Sequence, residues 1–437
     1  MSPIRSDRLT PSSTLRFTRL AIVAAVIVQF GRLLRVVDYQ RIDFRVYYAA
    51  VADRSTDLYD FRFRINGLPF TYPPATALVL RPLTSINELL AERLFFTASL
   101  VMVLIFALVC VRMLPRRPAA WFAVPLFVIF IVFMMPATLT LRLGQINAVI
   151  ALLVLLDAVL LDHDSAFAGF GSGFAAALKV TPALAIVVFI ATGRRRAAGV
   201  SIATYAAVTA FGALWYPSQT AHYWTSVLWQ TARVGNVKTG FNQRNPSLTR
   251  RGTSCADFSN SIRRVVSWLP ENGNFQTGVW LLLAGVIVGI AIVRVRIAFG
   301  RGNHLAAMTL ISCATYAVSP ITWGHHLFFL GPMTLLTAGD GRSRVRVAAA
   351  VVAGFLILDP IEHGEGAFFS FGRVILCAAA VLFMPIDERQ ATYEPRAYAE
   401  HNTSRTTLLQ TNTARRMFRR ALSNSPHTAN DGNAANV

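Results

Sequence analysis

Two adjacent histidines, His325 and His326, stand at the start of an apolar segment, within the stretch SPITWGHHLFFL. Imidazolium can stabilise the charge of a departing phosphate, and neutral imidazole can orient a hydroxyl group. Because consecutive residues of a helix point about 100° apart, we expect one ring to face a cavity and the other to pack against neighbouring helices. Trp323, just before the pair, is a candidate for substrate binding at the same place. The alternative is a structural role for two histidines at a polar boundary.

One carboxylate and one ammonium group also have surroundings that favour a chemical role. Asp43, in IDFRVYYAA, follows the first apolar run, where a carboxylate meets water but is desolvated enough to gain basicity. Asp43 is therefore a candidate general base, with helix capping as the alternative. Lys179, in AALKVTPAL, is an ammonium group among apolar residues and suits a phosphate. Its alternative role is that of a lysine that reaches from a kinked helix to the aqueous boundary.

The segment RLGQINAVIALLVLLD places polar residues at the beginning of a long apolar run. Gln145 and Asn147 lie there, next to Gly144. The free N–H groups and the positive dipole end of a helix N-terminus suit an anionic or sugar ligand. We predict that Gln145 and Asn147 bind substrate, with simple helix capping as the alternative.

Two further segments supply candidates for substrate binding. FNQRNPSL offers Asn242 and Gln243 as partners for hydroxyl groups, with the cation Arg244 beside them, although a solvated turn has the same composition. TYPPATALVLRPL predicts a helix that begins at a proline and enters the membrane interface. Its Tyr72 is predicted to lie at the level of the lipid headgroups and to contact substrate there.

The composition identifies the class of protein that must position these groups. Hydrophobic residues make up 54% of the 437 residues and charged residues 15%, and the mean hydropathy is +0.47. That is more apolar than a water-facing globular surface allows. The net charge of +20 does not indicate nucleic acid, because the Lys and Arg residues fall mainly between apolar runs and in the C-terminal tail. We predict an all-α polytopic membrane protein.

Apolar windows long enough to cross about 30 Å of hydrocarbon recur along the chain. Together with a separate stretch at 165–193, they predict a bundle of about 11 to 12 transmembrane segments. The windows are 17–37, 89–113, 119–137, 145–162, 197–216, 276–297, 303–320, 325–338, 345–360 and 368–385.

Arginine clusters assign a side of the membrane to each connection, because short cytoplasmic loops collect Lys and Arg. The basic N-terminus, 1–16, is predicted to be cytoplasmic. The other cytoplasmic clusters are 116–117, 194–196, 294–301 and 342–346. The opposite, extracytoplasmic side then receives 38–88, 138–144, 217–275, 319–325 and 361–367. Because these segments hold nearly all of the unusual polar residues, we expect the active site to face the periplasm.

The stretch 165–193 must leave the cytoplasm and return to it if this arginine pattern is to hold. Its roughly 29 residues of helix would be about 43 Å long, which is too long for one crossing and too short for two. Pro182 removes a helix hydrogen bond shortly after Lys179. We therefore predict a broken-helix hairpin with Lys179 near its apex.

The chain is predicted to contain one folded domain. Residues 17–385 form the transmembrane catalytic domain, and no repeat or second globular domain is evident. The remaining segment, 386–437, is rich in Asn, Thr, Ser and Arg and has no sustained apolar run. We expect it to be a disordered, basic cytoplasmic tail.

Six motifs in one order resemble those of a known family. They are IDFRVYYAA, TYPPATALVLRPL, LGQINAVIALLVLLD, AALKVTPAL, FNQRNPSL and SPITWGHHLFF, within about residues 38–385. The chain resembles the actinobacterial polyprenol-phosphate-mannose-dependent α-1,2-mannosyltransferases, which are integral membrane glycosyltransferases of the GT-C class. The resemblance implies a GT-C helix bundle with interfacial helices in its first extracytoplasmic loop.

The resemblance also implies a reaction. Mannose moves with inversion from a polyprenyl phosphomannose donor to a lipid-linked mannoside of the phosphatidylinositol mannoside or lipomannan type. Asp43 is then the general base, His325 and His326 lie at the donor end of the cavity, and Lys179, assigned by its charge, binds the donor phosphate together with His325. One base and positive charge on the departing phosphate are enough, so this scheme requires no metal and no cofactor. Arg244 departs from the family pattern, which leaves the acceptor open.

Two other functions are compatible with the sequence. The same motifs fit an arabinofuranosyltransferase that uses a decaprenyl phosphoarabinose donor, because they do not specify the sugar. A lipid or ion transporter also uses broken helices and intramembrane lysines. Transport is disfavoured because the polar groups cluster on one side and no inverted repeat is visible.

Overall fold

The structure is a computed structural model of the chain. It describes residues 41–230, 273–358 and 367–389, apart from gaps at 65–66, 117, 119–121 and 321, with single positions in 16–31 and 262–269. The predicted N-terminal segment and tail lie wholly or almost wholly outside the described residues, as do most of the first predicted span and the motif that contains Asn242, Gln243 and Arg244.

The described residues form a bundle of α-helices and short 3₁₀ helices, without a β-strand among them. The α-helices are α1 (Ile42–Ala52), α2 (Pro74–Leu80), α3 (Glu88–Arg112), α4 (Ala123–Phe133), α5 (Met135–Leu143), α6 (Asn147–Asp162), α7 (Phe170–Leu178), α8 (Leu184–Ala191), α9 (Arg195–Trp215), α10 (Pro217–Thr225), α11 (Gly273–Gly300), α12 (His304–Val318), α13 (Leu330–Ala338), α14 (Arg344–Leu358) and α15 (Ala367–Phe383). The 3₁₀ helices are Arg81–Ser85, Thr181–Ala183, Val227–Trp229 and Gly324–His326.

The bundle is a membrane helix bundle by length and apolarity. Three helices, α3, α9 and α11, are long and apolar enough to cross a bilayer, and α4 with α5 qualifies as one bent span. These four elements present large apolar side chains outward, as lipid-facing helices do. Examples are Val101, Ile105, Leu126, Phe211, Leu214, Leu282 and Val286. Further apolar helices are shorter and more deeply packed, and α12 is buried along nearly its whole length.

The predicted window at 119–137 differs from the helices that form. The helix ends at Phe133, and a second helix begins at Met135 and is bent by 41° from the first. Pro136 occupies the first turn of the second helix, where its missing N–H group costs nothing. The bend carries α5 toward the 3₁₀ turn that contains the histidine pair.

The predicted break at Lys179 is confirmed. Helix α7 ends at Leu178, and Lys179 has an extended backbone with φ −152° and ψ 120°. The chain resumes as a 3₁₀ turn with Pro182 in its first turn and then continues as α8. Lys179 therefore lies at the junction between two short helices.

The arginine clusters gather at one end of the bundle. Arg116 and Arg346, from two predicted cytoplasmic loops, both bind the carboxylate of Asp387, at 3.4 Å and 2.7 Å. From a third loop, Arg301 donates to the carbonyl of Ile386. Helix α6 runs from the opposite end at Asn147 to this end at Asp162, where Asp162 pairs with Arg389. The polar candidates and the clustered arginines therefore lie toward opposite ends of α6.

Candidate active site

The carboxylate of Asp43 faces α6 from the first turn of α1. Gln145 Nε2 donates a hydrogen bond of 2.6 Å to Asp43 Oδ2. Gly144 makes this approach possible because it ends α5 in the left-handed conformation, with φ 70°. A Cβ at position 144 would also overlap the side chain of Phe44. Glycine at this turn therefore allows Gln145 to lie against α1.

Two tyrosines fix the orientation of the Gln145 amide. Tyr47 Oη and Tyr72 Oη donate to Gln145 Oε1 at 2.8 Å and 2.7 Å, and the two phenols lie 3.1 Å apart. Since both hydroxyl groups face the amide oxygen, the amide nitrogen faces Asp43. A flipped amide would direct its oxygen at an ionised carboxylate. The network therefore holds a hydrogen-bond donor on Asp43 before any substrate arrives.

The surroundings of Asp43 raise its basicity. Burial raises the pKa of the Asp43 carboxyl to about 6, while the hydrogen bond from Gln145 and the charge of Lys179 act in the opposite direction. A carboxylate with a pKa near 6 is ionised at neutral pH and is a stronger base than a carboxylate in water. Asp43 thus has the properties that a general base requires.

Lys179 lies at the meeting point of several elements. Its Nζ donates to Asn147 Oδ1 at 2.9 Å and lies 2.8 Å from His326 Nε2. The same nitrogen lies 5.4 Å from the centre of the Tyr72 ring, within the range of a cation–π contact. Tyr72 therefore touches both the hydrogen-bond network of Asp43 and the cation.

The two histidines have different surroundings, as the sequence predicted for adjacent residues. His326 lines the cavity beside Lys179, and its Nδ1 accepts a bond of 3.3 Å from the backbone N–H of Trp323. His325 is buried and stacks on the Trp323 ring, with centroids 6.5 Å apart and planes 13° from parallel. Its carbonyl accepts a bond of 3.3 Å from the buried hydroxyl of Thr140 on α5. His326, and not the predicted His325, is thus the histidine beside Lys179 with access to a ligand, because the His325 ring packs on Trp323 and does not line the cavity.

A cavity extends from Lys179 toward the interior of the bundle. Its polar end is formed by Asn147, Lys179 and His326. Its walls come from α6, α8, α12 and the start of α13, and their apolar members are Ile150, Ala151, Val154, Ala185, Ile311 and Phe329. From Asn147 to Val154 the α6 wall is about 10 Å long. Thr181, Ser312, Thr315 and Tyr316 also line the cavity. The cavity therefore joins a cationic end to a mainly apolar interior.

One polar atom at this cavity has no protein partner in the described part of the chain. Asn147 is 4% exposed, and its Nδ2 group is buried without a hydrogen bond while its Oδ1 accepts from Lys179. Leaving a buried donor unsatisfied costs about 1–3 kcal/mol. An oxygen of a ligand in the cavity would satisfy it.

Most of the predicted site residues are brought together. Asp43, Tyr72, Gln145, Asn147, Lys179 and His326 form one connected cluster, with His325 and Trp323 directly behind it. Tyr72 corrects the prediction of a headgroup anchor: it is 7% exposed and points into the cluster. Asn242, Gln243 and Arg244 lie outside the described residues.

Tyr47 is a residue of the cluster that the sequence analysis missed. A signal was present, because Tyr47 follows Asp43 by four residues and so lies on the same face of α1. The role of Thr140 had no such signal, since its partner His325 is distant in sequence.

Comparison with known proteins identifies the family of the chain. The model for glycosyltransferase family 87 matches residues 70–320. The chain belongs to glycosyltransferase family 87. The family resemblance inferred from the six motifs is thereby confirmed, and so is the predicted enzyme class. Tyr72, Gln145, Asn147 and Lys179 of this glycosyltransferase lie within the matched segment.

Curated relatives extend the similarity beyond that segment. A Mycobacterium tuberculosis (strain CDC 1551 / Oshkosh) protein is 27% identical over 91% of this chain and 94% of its own length. It is named polyprenol-phosphate-mannose-dependent alpha-(1-2)-phosphatidylinositol pentamannoside mannosyltransferase. A Mycolicibacterium smegmatis protein, named as the corresponding phosphatidylinositol mannoside mannosyltransferase, is 27% identical over 76% of this chain and 78% of its own length. No solved structure matches this family 87 glycosyltransferase.

Proposed function

We propose that this glycosyltransferase transfers mannose from a polyprenyl phosphomannose donor to a lipid-linked mannoside, with inversion and α-1,2 linkage. The names of the curated relatives support the donor, the linkage and a phosphatidylinositol mannoside acceptor. A lipomannan-type chain offers the same mannose hydroxyl groups to the site. The observation that carries the proposal is the form of the cavity, whose cationic end opens into an apolar interior.

That form fits a lipid phosphate better than a nucleotide sugar. Lys179 and His326 offer N–H groups to phosphate oxygens, while Ile150, Ala151 and Val154 continue as an apolar wall. A prenyl chain attached to the phosphate would follow that wall and bury apolar surface, whereas a nucleotide would lose hydration there. The unsatisfied Nδ2 group of Asn147 supplies one more donor for the phosphosugar.

The proposed reaction needs a base for the acceptor hydroxyl, which is Asp43, and positive charge for the leaving phosphate, which is supplied beside it by Lys179. Asp43 takes the proton of an acceptor hydroxyl, whose oxygen forms a bond to the anomeric carbon of mannose. The bond between that carbon and the phosphate oxygen breaks, and polyprenyl phosphate leaves with the electron pair. Lys179 and His326 stabilise the charge that develops on it. A single displacement converts a β-linked phosphosugar into an α-glycoside, so one base is sufficient.

We also propose the arrangement of the chain in the cell membrane. The domain 17–385 crosses it about 11 to 12 times, the arginine-rich end faces the cytoplasm, and the site faces the periplasm. Residues 1–16 and the tail 386–437 are cytoplasmic. Support comes from the separation of the arginine end from the Asp43 cluster along α6. Anionic membrane lipids are partners of the basic extracytoplasmic loop.

A transfer assay with purified protein tests the reaction. The enzyme in detergent receives a phosphatidylinositol mannoside acceptor and one of three labelled donors: polyprenyl phosphomannose, guanosine diphosphate mannose or decaprenyl phosphoarabinose. We expect product from the first donor alone, with an α-1,2 linkage by enzymatic digestion. Transfer of arabinose would instead indicate an arabinofuranosyltransferase. If no sugar were transferred but the purified protein moved lipid across a vesicle membrane, the protein would be a transporter.

Cysteine labelling in intact cells tests the arrangement. Ser218→Cys, in exposed α10, is expected to react with a membrane-impermeant maleimide without permeabilisation. Ser343→Cys, exposed at the opposite end, is the matched position and is expected to react only after permeabilisation. Of the four native cysteines, Cys110, Cys313 and Cys377 are buried and contribute little background. Cys255, in the predicted extracytoplasmic loop and outside the described residues, is replaced by serine in both variants. The reverse pattern would contradict the proposed orientation.

A further inference from the structure

Helix α6 contains a buried carboxylate that the proposed reaction does not use. Asp157 is 0% exposed and lies between Asn147 and the arginine end of the helix. Its oxygens accept three backbone N–H groups where α7 begins: Gly169 at 2.9 Å and Gly171 at 3.0 Å on Oδ1, and Ser172 at 2.7 Å on Oδ2. A fully buried carboxylate is costly unless its charge is compensated. Here the N-terminus of α7 compensates it.

Two residues of α6, Asn147 and Asp157, both bind the segment that contains α7. Asp157 holds Gly169 and its neighbours at the beginning of α7, and Asn147 binds Lys179 directly after the end of α7. Asn147 and Asp157 are about ten residues apart on α6, and Gly169 and Lys179 are about ten residues apart on the other segment. At 1.5 Å per residue both intervals are about 15 Å long. The Asp157–Gly169 and Asn147–Lys179 contacts therefore form together when α6 and α7 pack antiparallel in one register.

Close backbone packing makes α7 move as one unit. A Cβ at Gly171 would overlap the carbonyl of Leu153, and one at Gly173 would overlap the backbone of Ser201. The Ser201 hydroxyl also donates to the Gly169 carbonyl at 2.7 Å. Because α7 is packed this closely, a displacement of its N-terminal end, at Gly169, also displaces its C-terminal end, at Lys179.

The C-terminal end of α7 has its own hydrogen bond. The buried hydroxyl of Thr76 on α2 donates to the carbonyl of Leu178 at 2.6 Å. Leu178 directly precedes Lys179, so Thr76 fixes the peptide unit to which the lysine is attached. Tyr72 lies just before α2. The short segment 72–80 therefore contacts Lys179 in two places: the Tyr72 ring lies near the ammonium group, and Thr76 binds the backbone just before the lysine.

We propose that Asp157 is a positioning residue for sugar transfer: it sets the register of α7 on α6 and so holds Lys179 between Asn147 and His326. A shift of α7 by one residue would move Lys179 by about 1.5 Å along the helix axis. That displacement breaks the 2.9 Å hydrogen bond to Asn147 and the 2.8 Å contact with His326 Nε2. The inference rests on the proposed function, because it takes Lys179 as the ligand of the donor phosphate.

A double-mutant cycle tests the proposal. The measured quantity is the affinity of the full-length protein in detergent for polyprenyl phosphate, with the KM of the acceptor as a second readout. Asp157→Asn keeps the size but directs an amide NH₂ at a backbone N–H group. We expect an affinity loss of about 10-fold in the wild-type background and none in Lys179→Ala, because coupled residues are not additive. The acceptor KM should not change.

Asp162→Asn is the matched control. Asp162 is a carboxylate on the same helix, but it binds His304 and Arg389 rather than α7. We expect no change in polyprenyl phosphate affinity from this variant in either background. Protein yield and melting temperature are recorded for each variant, so that a general loss of stability is visible.

The possible outcomes separate the two claims. If Asp157→Asn lowered affinity by the same factor with and without Lys179, Asp157 would be structural and this inference alone would fail. If Lys179→Ala bound polyprenyl phosphate like the wild type, the phosphate site of the proposed function would be wrong and this inference with it. If Asp157→Asn does not fold, Thr76→Val replaces it in the same cycle, and Thr76→Ser is expected to restore binding.

Discussion

Gln145 holds Asp43 through one carboxylate oxygen and leaves the other available. The bond joins Gln145 Nε2 to Asp43 Oδ2 at 2.6 Å, and Oδ1 makes no hydrogen bond to another described residue. A base must orient its carboxylate and still accept a proton, and this arrangement does both. The acceptor hydroxyl is therefore expected to approach Oδ1.

Replacement of Asp43 by asparagine is expected to abolish most of the transfer. Asp43→Asn keeps the size of the side chain but removes the proton acceptor, so the rate should fall by about 10²-fold to 10⁴-fold. Binding of polyprenyl phosphate should be retained. Asp60→Asn, in the same loop but exposed, is the control and should transfer mannose at the wild-type rate. Near wild-type transfer by Asp43→Asn would place the base elsewhere, with Asp57, Asp60 or Glu362 as the next candidates.

The pH profile of transfer is expected to have an acid limb near pH 6. The pKa of Asp43 is raised to about 6 by burial, and only the ionised form accepts a proton. The rate should therefore decrease as the pH falls through about 6. The limb should be absent from the residual activity of Asp43→Asn.

Gln145→Leu should move that limb in a defined direction. The hydrogen bond from Gln145 lowers the pKa of Asp43, so its removal raises the pKa and shifts the limb to higher pH. Steady-state rates measured from pH 5 to pH 8 would reveal the shift. An unchanged or lower midpoint would mean that Gln145 does not stabilise the charged carboxylate.

Lys179 is expected to act on the donor rather than the acceptor. Lys179→Ala removes a cation that binds Asn147 and lies beside His326, so the KM of the lipid donor should rise by about 10-fold or more while that of the acceptor stays constant. Lys179→Arg should restore the function only in part, because the guanidinium group is wider and planar. Parallel losses of protein and activity would instead indicate a structural lysine.

The two histidines are expected to respond differently to alanine substitution. His326→Ala removes the ring that lines the cavity and should reduce turnover, with a small effect on the melting temperature. His325→Ala removes a buried ring that stacks on Trp323 and should mainly lower the melting temperature. Turnover and thermal unfolding measured on both variants test this difference, and the opposite pattern would exchange the two assignments.

Local sequence patterns were sufficient for the helical membrane character of the chain. Long apolar runs predicted α3, α6, α9 and α11 within a few residues, because the length and apolarity of a span depend on neighbouring residues alone. Pro182 marked the break after Lys179 for the same reason. Pro136 carried an equivalent signal for the bend at Met134, although the predicted window ran through it.

Only the tertiary structure decided how the polar residues combine. Tyr72 reaches Gln145 across 73 positions of the chain, and Lys179 reaches His326 across 147. No local pattern encodes such contacts, because they depend on how helices pack once their apolar faces are buried. The packing turned Tyr72 inward, selected His326 as the cavity-facing histidine and gave Asp157 the N-terminus of α7 as its partner. The sequence by itself determined the residue types and the helices that carry them, whereas helix packing determined which side chains meet.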